Sequence, residues 1–182
     1  YLLHPADAMM IWHGGMSFHG GLLGVITAAF LFCRVNKLRF FSLTDIMACV
    51  APIGLFFGRI ANFINGELYG RASDDAWAMV FPRGGDVPRH PSQLYEATLE
   101  GLLLLIILAV LARQKSLQTR EKFLSGMFLI LYGLFRSFCE FFREPDMQIG
   151  FLAGGTTMGQ LLCIPMFAFG CWLVWKSRPL KT

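Results

Sequence analysis

One segment of the chain carries polar residues at a spacing that favours anion recognition. Tyr132, Arg136, Glu140 and Arg143 recur every three or four residues, which places them on one face of a helix. Arg136 and Glu140 are then one turn apart and can form an ion pair. A guanidinium group matches two phosphate oxygens. The stripe therefore predicts a structural ion pair, an arginine that Glu140 orients towards a bound anion, or both.

A second segment combines a cation with amides. Arg59 and Asn62 share one helix face, and the following Asn65-Gly66-Glu67 is typical of a turn that ends a helix. Packing does not require an arginine, two asparagines and a glutamate within nine residues. We therefore predict that Arg59, Asn62, Asn65 and Glu67 line a functional site.

His19 is enclosed by glycine pairs, in the string GGMSFHGG at 14–21. A lone histidine on an apolar helix is usually structural, but flanking glycines allow a ligand or another backbone to approach closely. Imidazole titrates near neutrality and can act as a general base. We expect His19 at the site, as the base or as an orienting contact.

His90 comes just before a helix-start signal at 91–92. Glu96 and Glu100 follow it and lie one turn apart. These residues favour two interpretations. In one, they cap the helix while Tyr95 anchors it at a membrane interface; in the other, His90 contacts a ligand.

Apolar segments of membrane-spanning length carry these residues. Hydrophobic residues make up 55% of the chain and charged residues 15%, whereas a soluble domain carries about 25% charged residues. A transmembrane helix needs roughly 20 mostly apolar residues. Suitable segments lie at 17–33, 46–64, 94–112, 123–142 and 157–175. We predict an all-α fold, a polytopic integral membrane bundle with about five transmembrane helices in this chain.

Positive charge is divided between the two sides of this bundle. Ten lysines and arginines fall after the first, third and fifth spans, and the positive-inside rule makes that side cytoplasmic. The outer side holds six cations, all of them arginine: Arg59, Arg71, Arg83, Arg89, Arg136 and Arg143. Since guanidinium suits phosphate better than ammonium does, this bias indicates anion recognition on the outer side.

We expect a single membrane domain over 1–182, with a short periplasmic loop or small cap at 66–92. Asp45 lies near the inner end of its span, and we expect it to be structural. The chain begins with Tyr1, so we expect further spans upstream. Two pairs of glycines one turn apart predict close helix contacts: Gly20 with Gly24 and Gly54 with Gly58.

Other chemistries fit the sequence poorly. It contains no HExxH, GxSxG or P-loop motif, and its five cysteines lack metal-ligand spacing. Basic residues are not interleaved with aromatics on a soluble face, so we expect no nucleic-acid partner. The residues alone indicate an outward-facing site for an anionic lipid headgroup. Binding, transport and chemical transformation all stay open.

Four longer strings are more specific: HGGMSFHGG at 13–21, GRIANFINGELYGR at 58–71, RHPSQLYEA at 89–97 and FRSFCEFFREPD at 135–146, with a weaker GQLLCIPM at 159–166. On these strings the sequence resembles the prolipoprotein diacylglyceryl transferases of bacteria. The strings cover most of the chain in the family's order, and a chance match to the second string is negligible.

The resemblance implies a reaction. Phosphatidylglycerol would give its diacylglyceryl group to the lipobox cysteine of a prolipoprotein signal peptide, forming a thioether and releasing glycerol phosphate. No metal or organic cofactor is implied. The protein would lie in the bacterial inner membrane with its active site towards the periplasm, and a full family member would have about seven spans. The alternative class is a non-enzymatic anionic-phospholipid binder or flippase. A flippase, however, would show polar residues continuing to the cytoplasmic side.

The resemblance also assigns residues. His19, Arg59, Glu67, Arg136 and Glu140 match functional positions and are predicted to be catalytic. Arg59 and Arg136 would hold the phosphate and offset its developing charge, His19 would take the thiol proton, and Glu140 would position Arg136. The predicted substrate-binding residues are Arg59, Asn62, Asn65, Arg136, Tyr132, Arg143 and His90.

Overall fold

The structure is a computed structural model that describes residues 18–144 and 156–177. Its helices are α1 (Phe18–Val35), α2 (Phe40–Ile64), α3 (Ser92–Arg113), the short α4 (Lys115–Gln118), α5 (Phe123–Cys139) and α6 (Met158–Lys176). The helices α2, α3 and α6 are long and apolar enough to cross a membrane, while Gly20–Val35 and Phe123–Cys139 are shorter apolar helices. Each predicted span coincides with a helix, although the helix over the predicted span 123–142 ends at Cys139, and the all-α membrane bundle is confirmed.

The chain divides into two compact units. The first contains α1 and the beginning of α2, up to Leu43. In it, the Phe40 ring meets the rings of Phe30 and Phe41 edge-on, with centroids 6.2 and 5.5 Å apart. The backbone N–H and side-chain amide of Asn36 both donate to the Phe32 carbonyl and end α1. The second unit begins at Thr44 and contains the remaining described helices.

The predicted turn after α2 is confirmed. The helix ends at Ile64, and Gly66 has a left-handed φ of 65°, which glycine adopts without steric cost. The backbone N–H of Glu67 donates to the Asn62 carbonyl at 2.9 Å. The turn thereby directs the chain from α2 into the polar segment that follows.

Asp45 has the structural role expected of it. Its Oδ1 accepts hydrogen bonds from the backbone N–H of Ser125 at 2.7 Å and from the Ser125 hydroxyl at 2.6 Å. Its Oδ2 accepts the backbone N–H of Lys122 at 2.8 Å. Lys122 precedes α5 with a φ of 74° and makes no side-chain cap. A carboxylate from α2 therefore caps the N-terminus of α5.

Glycines do set the helix contacts, but they are not the predicted pairs. A Cβ atom at Gly126 of α5 would lie 2.8 Å from the Gly170 carbonyl of α6, and one at Gly101 of α3 would lie 2.7 Å from Cα of Phe56 in α2. Among the described residues, an added Cβ at Gly24, Gly54 or Gly58 would meet nothing within 4 Å. Glycine spacing indicates where a helix could be approached closely, but it does not specify which neighbouring helix packs there.

Two regions of irregular backbone lie near the beginning of α3 and the end of α2. The part of α3 over Ala97–Leu103 is a π-helix between regular turns Ser92–Glu96 and Leu104–Arg113. Between α2 and α3, isolated antiparallel bridges join Ala72 and Met79 to Arg89, and another joins Gly70 to Arg143. The polar segment is thus folded as a small cap over the ends of α3 and α5.

Candidate functional site

Three helices bring ion-pairing side chains together at one end of the second unit. Arg59 lies near the end of α2, Glu96 and Glu100 lie in the first turns of α3, and Arg136 lies near the end of α5. Nε of Arg59 is 2.6 Å from Oε2 of Glu96, and Nη1 of Arg136 is 3.2 Å from the same oxygen. Glu100 contacts both arginines at 3.5 and 3.7 Å. One pair of carboxylates therefore joins two arginines from different helices.

Glu140 and Arg143 extend this ion cluster past the end of α5. Nη2 of Arg136 is 3.0 Å from Oε2 of Glu140, and Nη1 of Arg143 is 3.6 Å from Oε1 of Glu96. A Cβ atom at Gly159 would lie 2.9 Å from the carboxyl carbon of Glu140. The Glu140 carboxylate thus lies against the first turn of α6, where the helix dipole favours an anion.

Burial divides the cluster into two layers. The carboxylate side chains of Glu96 and Glu100 are 1% and 0% exposed. Those of Arg59, Arg136 and Arg143 are 16%, 13% and 11% exposed. The formal charges of these three arginines and the three glutamates cancel. An incoming anion would therefore reach the guanidinium groups before it reached the carboxylates.

Several charged atoms in the cluster have hydrogen-bonding capacity to spare. Within the described ranges, both carboxylate oxygens of Glu96 and of Glu100, Oε2 of Glu140 and Nη1 of Arg136 are buried and make no hydrogen bond of good geometry. Their ion pairs supply charge compensation without that geometry. Because buried polar groups are normally hydrogen-bonded, these carboxylates depend on the neighbouring arginines to compensate their charge.

The local structure of α3 explains how two glutamates reach the same neighbours. The π-helical turn begins directly after Glu96 and includes Glu100. Such turns are enriched at functional sites because they alter the direction of side chains. Gly101 follows at once and packs against the backbone of Phe56, which is one turn before Arg59. This close crossing holds the α2 arginine beside the α3 carboxylates.

Arg71 fixes the end of α5 from the cap. Its Nε donates to the Arg143 carbonyl at 2.8 Å, its Nη2 donates to the Glu140 carbonyl at 3.2 Å, and its backbone N–H donates to the Phe142 carbonyl at 2.9 Å. These carbonyls belong to residues just beyond the end of α5 at Cys139, where backbone groups need partners from outside the helix. The cap therefore completes the segment that carries Glu140 and Arg143.

The structure brings four of the predicted residues into the cluster: Arg59, Arg136, Glu140 and Arg143. Tyr132 lies one turn before Arg136 on α5, half-buried, with its ring stacked on that of Phe128. Asn62 follows Arg59 by one turn and is half-buried, whereas Asn65 is exposed at the turn that ends α2.

Two other predicted residues lie in the cap with different partners. The Glu67 carboxylate forms an ion pair with Arg83, and the two side chains are 43% and 64% exposed. The His90 ring packs edge-on against Tyr95 and Phe142, and its Nδ1 is 3.3 Å from the Tyr95 hydroxyl and 3.6 Å from Asp75. His19 belongs to α1, but its side chain lies outside the described part of the structure.

Glu96 and Glu100 are the site residues that sequence reasoning missed. We weighed them as helix-capping residues at an interface, yet the structure buries both and pairs them with arginines. A signal was present in the sequence. Two carboxylates one turn apart at the start of an apolar span are costly in a membrane unless they are paired, so each is a functional candidate.

These features define a class: a multi-pass membrane helical protein with a buried arginine–glutamate site at one end of its helices. The family model described as prolipoprotein diacylglyceryl transferase matches residues 1–176. The chain belongs to the prolipoprotein diacylglyceryl transferase family.

Individual relatives agree with this family. Proteins named phosphatidylglycerol–prolipoprotein diacylglyceryl transferase match the chain at 59% identity in Azospirillum brasilense, 60% in Allorhizobium ampelinum and 61% in Rhodospirillum rubrum. The matches cover 98%, 96% and 100% of this chain, and 67%, 61% and 66% of the respective relatives. The chain thus spans about two thirds of the length of these relatives.

Proposed function

We propose that the protein transfers the diacylglyceryl group of phosphatidylglycerol to the lipobox cysteine of a prolipoprotein signal peptide. The observation that carries this proposal is the meeting of Arg59 and Arg136 at one carboxylate oxygen, at 2.6 and 3.2 Å. Two guanidinium groups held this closely can grip one phosphate group. The names of the relatives supply the donor and acceptor substrates.

In the proposed reaction, the cysteine sulfur attacks the terminal glyceryl carbon of the diacylglyceryl group. A C–S bond forms as the C–O bond to the phosphate breaks, and glycerol phosphate leaves with the bonding electrons. Arg59 and Arg136 stabilise the negative charge that develops on the leaving phosphate. His19 takes the thiol proton, because the thiolate is the reactive nucleophile.

The remaining predicted residues act around that centre. Glu140 holds Arg136 at 3.0 Å and sets the orientation of its guanidinium group. Arg143 and Tyr132 flank the phosphate site. We assign the glycerol hydroxyls of the headgroup to the amides of Asn62 and Asn65 together with Glu67. We place His90, on the cap, beside the entering peptide.

We propose that the site faces the periplasm from the bacterial inner membrane. The ion cluster lies at the ends of α2 and α5 and the beginnings of α3 and α6. Basic residues lie at the opposite ends of these helices: Arg113 in the last turn of α3, Lys115 just after it, Lys122 before α5, and Lys176 in the last turn of α6. The positive-inside rule makes the basic end cytoplasmic.

The test of this function uses the protein expressed from its complete gene and reconstituted with phosphatidylglycerol and a lipobox peptide carrying a free thiol. Mass spectrometry follows the thioether product for the parent protein, for Arg59→Ala and Arg59→Lys, and for the control Arg113→Ala, an exposed arginine in the last turn of α3. We expect the parent and the control to form the adduct. Both Arg59 variants should lose about 100-fold or more in rate, as when one charge-stabilising donor is removed.

Retained folding of the Arg59 variants is checked by their detergent-solubilised elution profile. A parent protein that binds phosphatidylglycerol but never modifies the thiol would replace the transferase proposal with the non-enzymatic lipid-binder or flippase alternative. Full activity in Arg59→Ala would instead remove the phosphate role from Arg59.

A further inference from the structure

We propose that Glu96 is the positioning residue for the arginines of the site: its buried carboxylate sets the spacing at which Arg59, Arg136 and Arg143 receive one phosphate group. The inference rests on the proposed function in taking the phosphate of phosphatidylglycerol as the ligand. It adds a residue to which no role in the reaction has been assigned above.

Glu96 contacts all three arginines. Its Oε2 lies 2.6 Å from Nε of Arg59 and 3.2 Å from Nη1 of Arg136, and its Oε1 lies 3.6 Å from Nη1 of Arg143. Arginines that contact one carboxylate are close enough to repel one another strongly in a poorly hydrated site. A carboxylate between them removes that repulsion and fixes how far apart the guanidinium groups stand. Glu100 contacts Arg59 and Arg136 at longer distances and supports the same arrangement.

The burial of Glu96 indicates that it acts through the arginines and does not contact the lipid itself. Its side chain is 1% exposed, whereas those of the three arginines are 11–16% exposed. The carboxylate therefore lies behind a layer of guanidinium groups. A headgroup approaching from the accessible side meets nitrogen donors whose positions are already set.

The backbone that carries Glu96 is itself held in place. In the same first turn of α3, the Ser92 hydroxyl donates to the Leu68 carbonyl at 3.1 Å, and Nε2 of Gln93 donates to the Glu67 carbonyl at 2.7 Å. Both side chains are buried. These bonds tie the start of α3 to the segment that follows α2, so that Glu96 keeps a fixed position relative to Arg59.

A contribution to folding stability does not by itself explain why three arginines are paired with one buried carboxylate. Buried ion pairs seldom stabilise a protein more than apolar residues of the same volume. Preorganised charge, by contrast, accelerates a reaction because the site needs no rearrangement as charge develops on the substrate. The contact of three arginines from two regions of the chain with one carboxylate fits preorganisation of charge for the reaction.

The test compares Glu96→Gln with Glu144→Gln in the reconstituted protein. Glu144 is a matched control because its carboxylate is also 2.6 Å from an arginine, Arg89, but is 41% exposed in the cap. We expect Glu96→Gln to raise KM for phosphatidylglycerol about tenfold or more, as a misplaced binding group does, and to leave KM for the lipobox peptide unchanged. Glu144→Gln should change neither constant.

A direct binding measurement separates this inference from the proposed function. Short-chain phosphatidylglycerol should raise the Tm of the detergent-solubilised parent protein, by mass action on the folded state, and raise that of Glu96→Gln much less. Short-chain phosphatidylcholine serves as the lipid control. A parent protein that shows the shift but makes no thioether would refute the transferase function while still testing Glu96.

Two results would overturn the inference. One is a Glu96→Gln variant whose kcat falls with the folded fraction while KM for phosphatidylglycerol stays at the parent value, as for a purely structural residue. The other is an equal effect of Glu144→Gln. If Glu96→Gln does not fold, Glu96→Asp decides: it keeps the charge but withdraws the carboxylate by one methylene, and an unchanged lipid KM would refute the positioning role.

Discussion

Arginine–glutamate pairs occur in two regions at the same end of the molecule, and they differ in their surroundings. In the ion cluster, Arg59 and Arg136 meet carboxylates that are 0–7% exposed. In the cap, Arg83 and Glu67 are 64% and 43% exposed. Charges that are shielded from water interact strongly and depend on their partners, whereas solvated pairs contribute little. We therefore expect the buried residues of the ion cluster to depend on their partners far more than Glu67 depends on Arg83.

Two other arginines of the cap, Arg71 and Arg89, donate hydrogen bonds to backbone carbonyls. Arg71 donates to the Arg143 and Glu140 carbonyls. Arg89 donates to the Gly84 carbonyl, pairs with Glu144 and lies over the Tyr69 ring at 4.9 Å. The arginine bias on the outer side thus has several causes. It reflects a proposed anion site in the cluster and a folded cap beside it.

The largest effect is expected for Arg136→Met, which removes a cation from the buried ion cluster. It removes the arginine that contacts Glu96, Glu100 and Glu140, and removing one partner of a buried ion pair typically costs about 3–5 kcal/mol. We expect a correspondingly lower free energy of unfolding, measured by denaturant titration in mixed micelles, together with loss of thioether formation. Adding Glu140→Gln should restore part of the stability but none of the activity. A loss below about 1 kcal/mol for the single variant would show that the cluster is well hydrated.

A smaller loss of stability and activity is expected for Gly101→Ala, which should displace α2 relative to α3. The new methyl group would lie 2.7 Å from Cα and Cβ of Phe56, and overpacking of this kind costs about 1–3 kcal/mol. Because Glu100 precedes this contact and Arg59 follows Phe56 by one turn, activity should also fall. The matched control is Gly54→Ala, where an added Cβ meets nothing within 4 Å among the described residues.

Thermal unfolding and the rate of thioether formation are measured for both glycine variants. The control should be neutral or slightly more stable, since alanine is favoured over glycine in helices. Equal losses in the two variants would mean that helix propensity or lipid contact, and not the α2–α3 crossing, governs the response.

The smallest effect should be that of Arg83→Ala. The exposed pair with Glu67 contributes about 0–1 kcal/mol, so stability should barely change and the rate of thioether formation should stay within about twofold of the parent. Activity measured at low and high salt checks this, because a solvated pair is already screened at high salt. A loss like that of Arg59→Ala would show that Glu67 needs Arg83 for its proposed role, and the two regions would then not differ in how far they depend on their ion pairs.

Much of the architecture follows from the sequence alone. The apolar runs at 46–64, 94–112 and 157–175 lie within α2, within α3 and within one residue of α6, respectively. In a bilayer an apolar segment must satisfy its own backbone hydrogen bonds, which a helix does. The ion pair of Arg136 with Glu140 and the turn at Gly66 were also predictable, because both depend on residues close in sequence. Arg143 lies beyond the end of the helix that was predicted to carry it. The fourth apolar segment, 123–142, is helical only as far as Cys139, and the Arg71 side chain binds two of the carbonyls that follow.

Only the tertiary structure decided which charged residues meet. The sequence placed Arg59, Glu96, Glu100 and Arg136 near the outer ends of their spans, but helical spacing fixes depth and face along one helix and says nothing of the facing helix. The contact of Gly101 with Phe56 and the π-helical turn after Glu96 set the rotation and separation of α2 and α3. Those are non-local packing contacts, and they turned two apparent capping glutamates into the partners of three arginines.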